Sequence, residues 1–224
     1  MLAAVVVLGA LTPAAVFAVP EPVRAAVAGA GTALIGLFGA ALGGQCVRSG
    51  MPPVQLGWLL PLSGAEVSGD ALSGVFVLVT GSVAIAVGIF LTGYARGGHL
   101  PRTAMAVIPL FVTSMLLVPL AGSVTTFLAA WEVTALTSTV LVLTDHARPA
   151  CRRAGLVYAV MTHLGFLALL TGLALFAAGA HSETFALMTR GAMATPPATR
   201  NAVFLLTIVG FTSKAGLLPL HAWL

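Results

Sequence analysis

The chain alternates long apolar runs with short polar ones. Residues 2–19, 25–46, 71–93 and 154–179 each form an apolar stretch of a length that crosses the roughly 30 Å hydrocarbon layer as one helix. From Thr103 to Thr144 the chain is almost unbroken apolar, too long for a single crossing. Pro119 and Gly122 mark its division into spans at 103–120 and 123–144, and Pro109 is expected to bend the first of these. A last run starts near Asn201 and continues to the end of the chain. The pattern predicts an all-α, polytopic transmembrane helix bundle of about seven spans over residues 1–224, read as a single membrane domain.

The polar segments punctuate these spans. Pro20-Glu-Pro22 ends the first, and residues 47–70, with Pro52, Pro53, Trp58 and Pro61, read as a loop outside the hydrocarbon. Trp58, Tyr94 and Tyr158 read as interfacial anchors. Asp70 stands where an N-cap of the third span belongs, and Glu66 reads as solvated. Residues 180–200 form a second polar loop. In the second span Gly29, Gly36 and Gly43 recur every seven residues, with Gly39 to Gly43 a GxxxG pair, so this helix is built to pack closely on another.

Composition agrees with the pattern. Charged residues make up 7% of the chain and hydrophobic ones 59%, with a mean hydropathy of +1.07. A soluble core in so short a chain cannot bury that much apolar surface. The net charge of +4 comes from arginines at the ends of apolar runs, a pattern suited to lipid headgroups and topology, not nucleic acid. Arg24, Arg96, Arg102, Arg148, Arg152 and Arg153 follow spans one, three and five, whereas Arg48, Arg190 and Arg200 lie on the other side. The positive-inside rule makes the first group cytoplasmic and places the N-terminus outside. No Lys or Arg precedes Arg24, so the first run reads as a retained helix instead of a cleaved signal. Cys46 and Cys151 form no CxxC pair and fall on opposite sides, which argues against a disulfide, a zinc site or an iron–sulfur cluster. No cofactor is expected.

Two ionisable residues interrupt the spans. Glu132 lies near the middle of the fifth, and Lys214, the single lysine of the chain, lies in the seventh. A charged side chain at mid-bilayer costs about 2.5–3.5 kcal/mol on insertion scales, so each is a functional candidate. Thr125, Glu132 and Thr139 are seven apart on one helix face, as are Thr207, Lys214 and, if the helix persists, His221. Hydroxyls above and below a buried charge can bond to it or hold water. Gly216 and Pro219 follow Lys214 and are expected to break the seventh helix, a recurrent device for ion sites in transporters. Burial opposes charging of either group and an opposite charge nearby relieves both, so Glu132 and Lys214 are expected to form one buried charge system. His163, in the sixth span, is either a proton relay or a helix-packing residue. His99, His146 and His181 read as solvated.

Three strings then carry a resemblance: Trp131-Glu132 in the fifth span, Tyr158-Ala-Val-Met-Thr-His-Leu-Gly165 in the sixth, and Ser213-Lys-Ala-Gly-Leu-Leu-Pro-Leu-His-Ala-Trp-Leu224 in the seventh. They resemble the antiporter-like proton-conducting membrane subunits: the large membrane subunits of complex I, the Mrp cation/proton antiporters, and the membrane subunits of formate hydrogenlyase and hydrogenase-4. Met161–Gly165 and Leu218–Leu224 look most like the B-type membrane subunit of hydrogenase-4. The last string is shared across the superfamily and identifies it better than it identifies the branch.

The resemblance implies that Glu132 and Lys214 match the gating pair of that family; beside them, His163 and His221 are read as possible relays. It implies a second half beyond the broken seventh helix, so this chain is expected to be the N-terminal part of such a subunit and not to move protons alone. The implied function is proton translocation in the inner (cytoplasmic) membrane, within a redox-driven energy-converting complex. Partners would be other membrane subunits and a peripheral hydrogenase or quinone-reactive module, and this subunit would hold no redox centre of its own. A sodium-coupled Mrp-type antiporter subunit and a non-conducting membrane anchor remain the alternatives.

Overall fold

A computed structural model of the chain describes residues 1–57, 64–98, 100–192 and 195–223. Trp58, Pro61 and His99, singled out above, lie outside the described residues. Among the described residues there are eight α-helices: α1 (Leu2–Ala18), α2 (Glu21–Ser49), α3 (Ala71–Arg96), α4 (Arg102–Leu117), α5 (Val124–Val142), α6 (Pro149–Ala180), α7 (Phe185–Gly191) and α8 (Pro197–Ala215). The chain is an all-α helix bundle with one small addition, a two-stranded sheet of β1 (Met51–Leu56) and β2 (Ala65–Gly69).

Each of the seven expected spans contains one helix, α1 to α6 and α8. Among the described residues five stretches are long and apolar enough to cross a membrane: α2, α3 and α6, and α4 and α5 each with the 3-10 turn that continues it, over Arg102–Leu120 and Val124–Asp145. α1 is apolar but only 17 residues long, and the 19 residues of α8 include Arg200, Asn201 and Lys214. The break between the fourth and fifth spans falls at a 3-10 turn over Val118–Leu120, where Pro119 has no N–H to continue the helix. The described residues of the two segments read as loops include regular structure: the β1–β2 pair within 47–70 and α7 within 180–200.

The chain folds as two compact units. The first comprises residues 1–52, 68–120 and 140–144. Here α2 lies antiparallel to α3, and the heptad glycines of α2 meet a matching set on α3. A Cβ added at Gly36 would stand 2.6 Å from the Gly81 carbonyl oxygen, one at Gly43 2.7 Å from that of Gly74, and one at Gly29 2.6 Å from that of Gly88. The α3 glycines are also seven apart, so every turn-pair of both helices brings backbone against backbone. In lipid, where apolar side chains gain little by leaving apolar surroundings, this close packing is a main source of helix association. α1 joins the group through Gly31, whose added Cβ would meet Thr12, and Gly9, which lies against Thr113 of α4. Val16, Ala28, Leu91 and Ala106 close one end. Asp70 is the N-cap of α3, as expected, accepting a 2.7 Å hydrogen bond from the Ser73 N–H. That bond holds its carboxyl below the ordinary value of 3.8.

The second unit comprises residues 53–67, 121–139 and 145–224. Its core is Val124 and Leu128 of α5, Leu169 and Leu173 of α6 and Met188 of α7, with Phe127 and Trp131 packed against Phe211 of α8. α6 and α8 approach closely at small residues: a Cβ on Gly210 would lie 2.3 Å from Leu169 Cγ, and one on Gly165 2.8 Å from Ser213 Oγ. The start of α5 is stitched on both sides, by hydrogen bonds from Gly122 N–H to Glu66 O and from Val124 N–H to Glu183 O.

A candidate proton site on helices α5, α6 and α8

Glu132 and Lys214 both belong to the second unit, and each is seated on α6. Glu132 Oε1 lies 3.0 Å from His163 Nε2, with the carboxyl side chain 25% exposed and the imidazole 42%. The other ring nitrogen, His163 Nδ1, lies 2.8 Å from the Ala159 carbonyl oxygen one turn earlier on α6. Glu132 Oε2 is buried with no hydrogen-bond partner among the described residues.

Lys214 Nζ donates to Tyr158 Oη at 3.3 Å and sits 5.7 Å from the centre of the same ring, within range of its π face. Tyr158 Oη is 2.7 Å from Ser138 Oγ of α5, and Ser138 also lies 2.6 Å from Thr134 O. The donors therefore run one way, from ammonium to phenol to serine to a backbone carbonyl, and every member has a partner. Trp223 packs edge-on against the Tyr158 ring and donates its Nε1–H to Ser213 O at 2.8 Å, closing the site from the segment after α8.

α8 ends at Ala215, earlier than Pro219 requires. Gly216 takes the left-handed conformation (φ 68°), its N–H faces Ser213 O, and the Leu217 N–H reaches back to Thr212 O. That is a Schellman cap, favoured by glycine at the position. It leaves Lys214 in the last helical turn, where the negative end of the helix dipole favours an ammonium. Pro219 falls in the turns that follow. His221 lies there too, exposed and off the helix, so it does not share a face with Thr207 and Lys214.

The predicted hydroxyl stripes are satisfied elsewhere. Thr125 donates to Glu183 Oε2, Thr139 to Ala135 O and Thr207 to Val203 O. Helical threonines commonly bond back one turn, and none of the three reaches the charge it flanks. No ion pair joins Glu132 to Lys214 among the described residues. Glu66 is not solvated: it is 6% exposed, and its carboxylate accepts from Gln55 Nε2 at 2.9 Å and Thr184 Oγ1 at 3.3 Å. No group of three or more His, Cys, Asp and Glu side chains converges among the described residues.

Tyr158 and Ser138 are the members of the site that sequence reasoning missed. A span starting at 154 leaves Tyr158 near the membrane surface, but α6 starts at Pro149, which puts the ring about 13 Å along the helix. It is 7% exposed, not an interfacial anchor. Tyr94 is exposed and stacked on Phe90, and His181, also exposed, takes the left-handed position that caps α6.

Residues 121–224, which carry the whole of this site, match the family described as NADH:quinone oxidoreductase/Mrp antiporter, TM. Over these residues the chain carries the membrane domain of the antiporter-like subunits. An uncharacterized protein of Mycobacterium tuberculosis is 56% identical over 198 residues, covering 88% of this chain and 29% of that protein. Hydrogenase-4 component B of Escherichia coli is 28% identical over 158 residues, 69% of this chain and 23% of the relative. An antiporter-like fold extends over the whole chain: it superposes on the Mrp complex from Dietzia sp. DQ12-45-1b with a TM-score of 0.81 at 22% identity, covering 100% of this chain and 24% of that one. The chain thus spans less than a third of the length of the curated relatives it matches. It is a multi-pass membrane protein of the respiratory and antiporter type.

Proposed function

We propose that this chain is part of a proton-translocating membrane subunit of a redox-driven energy-converting complex, of the hydrogenase-4/formate hydrogenlyase or NADH:quinone oxidoreductase kind, with Glu132 and Lys214 carrying the charge. The observation that carries the reading is the seating of two ionisable groups on one apolar helix. An acid and an amine inside membrane-spanning helices cost several kcal/mol unless they find partners, and each has a polar partner on α6. Held by Tyr158, Lys214 stands apart from Glu132, which is the withdrawn half of a cycle in which the two charges approach and separate. Approach would stabilise both as ions and separation removes that stabilisation, so geometry couples to proton transfer. His163 is the relay candidate in contact with Glu132, and His221 a second candidate in the turns beyond Gly216 and Pro219.

In this reading the N-terminus is outside the inner (cytoplasmic) membrane, other membrane subunits flank the chain, and a peripheral hydrogenase or quinone-reactive module drives it. The relatedness to hydrogenase-4 component B supports the redox-driven branch. The test is proton pumping by the full-length subunit in its complex, reconstituted in proteoliposomes. Glu132→Gln and Lys214→Met are expected to abolish pumping while assembly survives. Normal pumping by both assembled variants overturns the assignment, and sodium-dependent flux moves the protein to the antiporter branch.

A further inference from the structure

We propose that Glu132 and His163 form a couple that holds one transferable proton, with His163 Nε2 the base that takes it from Glu132. The inference rests on the translocation reading above and names the residue on the other end of the Glu132 proton.

The argument is a count of hydrogens. The Ala159 carbonyl can only accept, so at 2.8 Å His163 Nδ1 carries an N–H and donates it. A neutral imidazole has a single N–H, and this contact uses it, leaving Nε2 bare. Nε2 faces Glu132 Oε1 at 3.0 Å. Two bare acceptors at that distance repel, and two hydrogens between them collide, so one hydrogen lies between them. Two arrangements satisfy the count: carboxylic acid donating to imidazole, or imidazolium donating to carboxylate. They differ only by breaking the O–H bond at Oε1 and forming the N–H bond at Nε2, and both have zero net charge. The Nδ1–Ala159 contact is what makes the transfer possible, because it keeps Nε2 as the nitrogen that changes.

Glu132 Oε2, buried and unpartnered among the described residues, still lacks a donor. The cation able to satisfy it is Lys214, held on Tyr158, five residues before His163 on α6 or about 7.5 Å along the axis. Bringing the Lys214 ammonium to Oε2 supplies the missing donor, stabilises the carboxylate and drives the proton from Oε1 to Nε2. The other titratable groups on the helices concerned are Cys151, Arg152 and Arg153 in the first turns of α6, Arg190 on α7, and Arg200 near the start of α8. Glu66 and Glu183 stand by the start of α5. Each is separated from the couple by at least one full helical turn of sequence.

The experiment is nitrogen NMR on the full-length subunit, labelled in its histidines and embedded in lipid bilayers, with His163 identified by subtraction of a His163→Gln sample. The expected result is a protonated Nδ1 and an Nε2 that exchanges a proton with Glu132. In Glu132→Gln the carboxamide donates to Nε2 but has no acid proton to give, so proton exchange between residue 132 and Nε2 is lost. In Lys214→Met the acid–imidazole form grows at the expense of the imidazolium. A wild-type His163 with a bare Nδ1, or an Nε2 titration unchanged in Glu132→Gln, overturns the couple. Loss of pumping in Glu132→Gln with an unchanged His163 titration overturns it while leaving the translocation reading intact. A coupled titration in a protein whose Glu132→Gln variant pumps normally does the reverse.

Discussion

Gly36 of α2 offers a direct test of how the first unit is held together. Its added Cβ would meet three atoms of α3: the Gly81 carbonyl oxygen at 2.6 Å, the Ile85 nitrogen at 2.7 Å and the Ala84 Cβ at 2.9 Å. Two of the three are backbone and cannot rotate away. Ordinary non-bonded contact begins near 3.5 Å, so Gly36→Ala must push the helices apart by about 1 Å locally. Overpacking of that kind costs roughly 1–3 kcal/mol, and the separation also weakens the contacts at Gly29 and Gly43 above and below. Glycine to alanine independently favours a helix by about 1 kcal/mol, which obscures the effect in a single variant. Gly44 removes the ambiguity, since it lies on the same helix and a Cβ there meets nothing within 4 Å. The propensity gain is common to both, so Gly36→Ala should be less stable than Gly44→Ala by about 1–3 kcal/mol, the contact contribution alone. Reversible unfolding of the full-length protein in mixed micelles, followed by helicity, measures the difference. Equal stabilities for the two variants would refute the claim that backbone contact between α2 and α3 depends on these glycines.

The remaining predictions concern a cap and the lysine seat. Asp70→Ala removes the acceptor for the Ser73 N–H and should cost about 0.5–2 kcal/mol of unfolding free energy. Because the Asp70 carboxyl is held below its ordinary value by that bond, its contribution is complete above the unfolded value of 3.8 and is lost as pH falls through the lower folded value. Asp70→Asn should flatten that acid-side loss in a pH series of unfolding curves, and an unchanged slope refutes the assignment. Tyr158→Phe keeps the ring beside Lys214 but deletes the oxygen that accepts from Nζ and contacts Ser138. It should cost about 1–3 kcal/mol and slow proton pumping in proteoliposomes, whereas unchanged stability and flux would show that the hydroxyl is idle.

Much of the molecule is legible along the chain. Backbone polar groups in hydrocarbon must be satisfied within their own segment, so apolar runs of bilayer length have to be helices, and each expected span contains one. The heptad glycines of α2 announce a close contact, and Gly74, Gly81 and Gly88 of α3 carry the same signal at the same spacing. Asp70 announces its cap because capping is a contact three residues long. The pairing of β1 with β2 and helix α7 are not legible, since proline- and glycine-rich segments give no hydrophobic period to read.

What the sequence alone determined, then, was which runs form apolar helices and which residues are out of character in them: Glu132, Lys214 and His163. Local chemistry and hydropathy suffice for that. Partnership was decided only by the tertiary structure. Lys214 faces Tyr158 because small residues at Gly165 and Gly210 let α6 and α8 close together, while Glu132 meets His163 where α5 packs on α6. Of the hydroxyls spaced to serve the charges, Thr139 and Thr207 bond back within their own helices and Thr125 bonds Glu183. Periodicity places side chains on a face, but a hydrogen bond needs an acceptor within about 3 Å, and only the packed helices determine which atom that is.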